Sequence, residues 1–232
     1  MGQGILLLIS NIGNPPHKHM KILVIGTEEN SLECKQKFGD AHLYSTVENA
    51  KDGAPQLAWA DVVFDFLPVP EAFDLAMYEH AKQPVFLNST FSTLSGLIAN
   101  YSGKATFIGF CGLPTFLNRK MLEVCVANAD AKVVLEDTCK KLNTSFGLVA
   151  DQVGFVTPRI ICMIINEAYC TVEEGTASRE DIDVAMKLGT NYPYGPFEWA
   201  ERIGKKNVVA LLKGAQHATG NLRYAVCKVL EH

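Results

Sequence analysis

An open, mostly parallel α/β sheet followed by an all-helical segment is the fold that this sequence predicts. Short apolar, β-branched runs alternate with helical stretches over residues 20–152. The pattern changes near Gly154, beyond which apolar positions recur at helical spacing. The chain has 232 residues, 48% of them hydrophobic, enough for one large domain or two modest ones and too apolar for a mostly disordered chain.

Met20-Lys21-Ile22-Leu23-Val24-Ile25-Gly26 reads as a buried parallel strand. Residues 41–45, 61–67, 84–88 and 105–110 continue the series, the third closed by Pro68 and Pro70. Residues 131–135 and 147–150 are two further strand candidates. Helices are expected over 71–81 and 136–142. A long helix is expected from Pro158 to Glu174, with Ile160, Ile161, Ile164, Ile165, Ala168 and Val172 on its apolar face and Gly175 ending it. Ser178, with Asp181 three residues on, opens the next helix, which Gly189 stops. Two more helices cover 197–203 and 208–212. Residues 1–19 read as an N-terminal extension. Their run Gly4–Ser10 is too short to span a bilayer and lacks the basic residue and cleavage site of a signal peptide.

A formal charge of −4 gives no general attraction to phosphate backbones, so no nucleic-acid partner is expected, and no membrane either. Seven cysteines, an odd number with no C-x-x-C pair, argue against a disulfide framework and a structural zinc site. A cytoplasmic location follows most simply, and no metal is expected. His80 and His217 stand in no recognisable triad or metal spacing.

Gly154-Phe155-Val156-Thr157-Pro158-Arg159 leads into Asn166-Glu167-Ala168, then Glu173–Ser178, Glu180–Asp183, Ala185–Gly189, Pro193–Glu198 and Ile203-Gly204. This ordered string resembles the C-terminal domain of the 3-hydroxyacyl-CoA dehydrogenase family. Upstream, Asn88–Ser92 resembles the family's Asn-Thr-Ser-Ser segment. Phe107–Phe110 and Lys120–Val124 bracket its catalytic region. The resemblance implies a Rossmann-like NAD-binding domain over 20–152 and a helical, 6-phosphogluconate-dehydrogenase-like dimerisation domain over 154–232. It also implies a homodimer, an acyl-CoA or other small-molecule ligand, and NAD-dependent oxidation of L-3-hydroxyacyl-CoA to 3-oxoacyl-CoA in fatty acid metabolism.

Residue by residue, the resemblance places the family's cofactor positions on Gly26, Glu28, Ser31 and Glu71, and its catalytic positions on Cys111, Glu123 and Ser92. The departures fall on chemistry. The family's G-x-G-x-x-G turn reads Gly26-Thr27-Glu28-Glu29-Asn30-Ser31, with two carboxylates where a pyrophosphate would dock. Those carboxylates also suit the helix dipole, and Asn30 can cap the helix; a plain solvated turn is the alternative. The second strand, read as ending at Ser45, shows no ribose-binding acid at its tip. The stretch from Gly26 to Asp61 is short for the family, and Asp74 stands near its expected lysine. Cys111 occupies the histidine column, with Glu123 in the column of the orienting glutamate. Cys111 is either an impaired base or a small buried hydrophobe. The catalytic serine falls on Phe91 without a gap and on Ser92 with one inserted residue. The family's helix asparagine falls on Pro158, and its Asn-Pro on Leu113-Pro114. Two functions are compatible with this pattern: a 3-hydroxyacyl-CoA dehydrogenase, or a non-catalytic dimeric binding or scaffold relative, a pseudoenzyme.

Overall fold

The computed structural model of the protein describes residues 19–67 and 75–231. The chain forms two compact units, Met1–Phe155 and Val156–His232.

The first unit is built on seven strands in the order β2-β1-β3-β4-β5-β6-β7. They are β1 (Lys21–Ile25), β2 (Leu43–Val47), β3 (Val62–Asp65), β4 (Val85–Asn88), β5 (Phe107–Phe110), β6 (Met121–Val126) and β7 (Ser145–Leu148). All neighbours run parallel except β5 and β6. Ile22, Val24, Val62, Phe64, Val85 and Ile108 are fully buried, as their continuous apolar runs predict for strands covered on both faces. In register, Phe64 faces Phe86 and Phe86 faces Ile108. The resulting ring cluster fills the core: Phe64 stacks on Phe86 at 4.5 Å, and Phe110 meets Phe64 edge-on at 5.7 Å.

Helices α1 (Glu28–Phe38), α2 (Ala50–Gly53), α3 (Leu94–Leu97) and α4 (Ala129–Lys141) complete this unit. Residues 131–135 are helical rather than a strand. Asn128 caps α4 through the Ala131 N–H, and the cap outweighs the β-branched pair Val133-Val134. The described part of the stretch expected as a helix over 71–81 is one 3-10 turn, Leu75–Tyr78. The second strand runs to Val47, two residues past its expected end. The 147–150 run begins earlier, as β7.

The second unit comprises α5 (Thr157–Glu173), α6 (Arg179–Thr190), α7 (Pro196–Ile203), α8 (Lys205–Thr219) and α9 (Lys228–Glu231). Ser178 caps α6 as its spacing predicts. The helix passes Gly189 and ends where Asn191 turns left-handed, at φ 55°. Asp183 of α6 accepts the Phe197 and Glu198 N–H groups at 2.8 and 3.2 Å, closing the start of α7. Lys187, one turn on, binds Glu198 at 2.7 Å and holds its carboxyl below the usual range. On α5, Asn166 grips the C-terminal segment. Its amide donates to Ala225 O and its oxygen accepts from Cys227 N, at 2.9 and 2.8 Å. Ile161, Ile165 and Ala168 are buried within the single chain. Among the described residues of this unit, the exposed large apolar side chains are Val156, Ile160, Val184, Leu188 and Leu222.

Candidate functional site

In a sheet of this kind, ligands bind beyond the carboxyl ends of the strands, where the strand order reverses. Here that point lies between β1 and β3, next to Gly26 and Phe66. The backbone closes tightly there: Gly26 N–H donates to Val47 O and Phe66 N–H to Ile25 O, both at 2.8 Å. A Cβ on Gly26 would stand 2.6 Å from Asn30 Oδ1 and 3.0 Å from Phe66 Cβ, so only glycine fits.

The N-cap of α1 is Thr27, and Asn30 completes a reciprocal capping box with it. Thr27 Oγ1 accepts from Asn30 N at 3.3 Å, and Asn30 Oδ1 accepts from Thr27 N at 2.9 Å. Glu28 and Glu29 are exposed in the first turn. Ser31 is fully buried, and its oxygen accepts from the Thr46 hydroxyl at 2.8 Å. It therefore serves the contact between α1 and β2. Glu71 lies outside the described residues.

Cys111 begins the loop after β5 and is buried. Burial pushes its thiol up to about 12. Hydrogen bonds with the Leu113 backbone and the Thr90 side chain oppose that rise, and the charges of Glu123 and Glu33 add to it. The structure thus brings Cys111 and Glu123 into one electrostatic neighbourhood. Glu123 is half-buried in the middle of β6. The loop leading into β6 is held by α1: Glu33 accepts from Leu117 N and Asn118 N at 3.0 and 3.2 Å.

Ser92 is half-buried in the loop between β4 and α3. The hydroxyl beside Cys111 belongs to Thr90, which is fully buried. Asn88 organises this corner. Its oxygen accepts from Thr90 Oγ1 at 2.6 Å and from Gly112 N at 3.1 Å, and its amide donates to Phe66 O at 3.0 Å. Pro158 is buried in the first turn of α5. His80 and His217 are exposed, and among the described residues no cluster of ligating side chains is arranged for a metal.

Two residues escaped the sequence reading. Glu48 is exposed immediately beyond β2, twenty-two positions after Gly26, where an acid that binds ribose belongs. The β-favouring Thr46-Val47 was the available signal, because it extends the strand to that tip. Asp65, at the carboxyl end of β3, is fully buried. It accepts from Tyr78 OH at 2.8 Å and Leu67 N at 3.0 Å. Burial holds its carboxyl up at about 6. Its place in an apolar strand hid it.

A family model described as 3-hydroxyacyl-CoA dehydrogenase, C-terminal domain, matches residues 154–232. The helical unit is thus similar to the C-terminal domain of the 3-hydroxyacyl-CoA dehydrogenases. The chain is 45% identical over 82 residues to a 3-hydroxyadipyl-CoA dehydrogenase of Escherichia coli (strain K12). That match takes in 35% of this chain and only 17% of the relative's length. A probable 3-hydroxyacyl-CoA dehydrogenase of Caenorhabditis elegans is 28% identical over 92% of this chain and 77% of its own. In fold, the chain is similar to the crystal structure of (S)-3-hydroxybutyryl-CoA dehydrogenase PaaH1 from Ralstonia eutropha. The TM-score is 0.66 at 20% identity, over 92% of this chain and 93% of that one. The chain thus carries a Rossmann-like sheet unit and a helical unit that matches the family model. No described helix is long and apolar enough to cross a membrane.

Proposed function

We propose that this chain is a non-catalytic relative of the 3-hydroxyacyl-CoA dehydrogenases, a binding or scaffold protein on the family's frame. The observation that carries this reading is Cys111. In the family reaction a histidine takes the hydroxyl proton as hydride leaves, which needs a base titrating near neutrality. A buried thiol held at about 12 stays protonated at pH 7 and cannot take up the hydroxyl proton. The NAD that the family resemblance implies is held weakly or not at all, with Glu28 and Glu29 at the dinucleotide turn.

The test is direct. Oxidation of L-3-hydroxybutyryl-CoA with NAD, and the reverse reduction of acetoacetyl-CoA with NADH, are followed at 340 nm. No turnover above background is expected. Rates of about 1–10³ per second would overturn the reading. One observation favours the second reading, a working dehydrogenase. Glu48 stands at the β2 tip, where the adenosine ribose of a dinucleotide would be held. The same assay separates the two.

As partners we propose a second copy of the chain and an acyl-CoA or similar small molecule, in the cytoplasm. The homodimer would form through the helical unit. Leu188 is 83% exposed and Val184 50%, one turn apart on a helix with no buried residue of its own. Light scattering at micromolar concentration should give twice the chain mass; a stable monomer would refute the dimer.

A further inference from the structure

We infer that α1 closes its own N-terminus against phosphate, so that the crevice between β1 and β3 rejects a diphosphate-bearing dinucleotide. The inference rests on the proposed loss of family function only for the class of ligand, and it concerns binding rather than turnover.

A dinucleotide turn works by leaving backbone N–H groups free at a positive helix end. Of the four such groups from Thr27 to Asn30, two are engaged internally. Thr27 N–H donates to Asn30 Oδ1, and Asn30 N–H donates to Thr27 Oγ1. The carboxamide oxygen of Asn30 therefore sits on the turn as a phosphate oxygen would. It also takes the space that the missing Cβ of Gly26 leaves open. The glycine still permits close approach, but what approaches is this chain's own Asn30. The N–H groups of Glu28 and Glu29 belong to the two exposed residues whose carboxylates repel an incoming diphosphate. Shape and charge exclude the same ligand by separate means. A single substitution then relieves only part of the exclusion.

Two variants separate the means. E28Q/E29Q removes the charge and keeps the reciprocal cap between Thr27 and Asn30. E28Q/E29Q/N30G also frees the Thr27 N–H. NAD binding is measured by calorimetry without acyl substrate, with circular dichroism to show that each variant is folded. The native chain should bind NAD with a dissociation constant in the millimolar range or weaker. The double variant should bind about tenfold more tightly and the triple variant about tenfold more again. Raising salt from 0.1 to 1 M shortens the screening length from about 10 to 3 Å. That should strengthen NAD binding to the native chain and leave the double variant unimproved.

Micromolar NAD binding by the native chain would overturn the inference. So would folded double and triple variants that bind no better than the native chain. Because no acyl substrate is present, failure here leaves the turnover assay to judge the proposed function on its own. A native chain that binds NAD tightly yet turns nothing over sinks this inference alone. Turnover with weakly held NADH sinks only the other.

Discussion

Asp183 and Asn30 perform the same local task in the two units, and the outcomes differ. Each presents a side-chain oxygen to N–H groups at the start of a helix. In the helical unit, the bond runs from α6 to α7, so capping joins two elements. In the sheet unit, it stays within one turn, so capping joins nothing and occupies a place where a ligand would bind. Asp183 lies within the stretch that matches the family model, and Asn30 lies outside it. Capping that builds contacts between elements belongs to the fold. Capping that uses up a ligand's donors bears on chemistry.

The sharpest way to break this comparison is to show that the sheet unit depends on its carboxyl-edge turn for stability. It should depend on its ring cluster instead. Phe86→Ala should cost about 3–5 kcal/mol in urea unfolding. A loss under about 1 kcal/mol would mean that the stacked rings contribute little. Asp183→Ala should come next, at about 2–3 kcal/mol, because it strips a charged acceptor from two N–H groups. Asn30→Ala should cost only about 1 kcal/mol, as for an ordinary cap. If Asn30→Ala proved the costlier, the assignment of the two caps to different roles would fail.

Asp65 sharpens the comparison through pH. Its folded pKa, about 6, lies above the ordinary 3.8, so its charged form is disfavoured in the fold. That penalty is absent below the unfolded value, grows as pH rises between the two, and is complete above about 6. Asp65→Asn should therefore gain up to about 2 kcal/mol on the native chain between pH 4 and pH 7. A difference that stays flat over that range would rule this out. The smallest effect belongs to Leu188→Lys. It should change unfolding by less than about 0.5 kcal/mol while abolishing self-association in light scattering.

The strands that form the core were readable because parallel strands buried on both faces are apolar throughout, as Ile22–Ile25 and Val62–Phe64 show. Strand β6 was not read as a strand. It carries Glu123 among Met121, Leu122 and Val124, and it pairs antiparallel to β5 beside a covered and a half-exposed face. Residues 131–135 were misread because two adjacent valines outweighed a cap three residues upstream. At the site, Cys111, Glu28 and Glu29 were legible by register. Thr90 was not, because its position beside Cys111 comes from the pairing of β4 with β5, which local sequence does not encode. Glu48 was missed through an error of two residues at one strand end.

The seven thiols give the protein a built-in set of opening reporters. Six are buried, and Cys170 alone is partly accessible. In native conditions an alkylating reagent should label Cys170 first. The other six should follow only as fast as their surroundings open. Cys34, Cys111, Cys125 and Cys139 then time the sheet unit, and Cys162 and Cys227 the helical unit. Mass spectrometry of labelled peptides would read the two clocks in one sample. Their ratio would tell whether a ligand steadies the sheet, the helices or both.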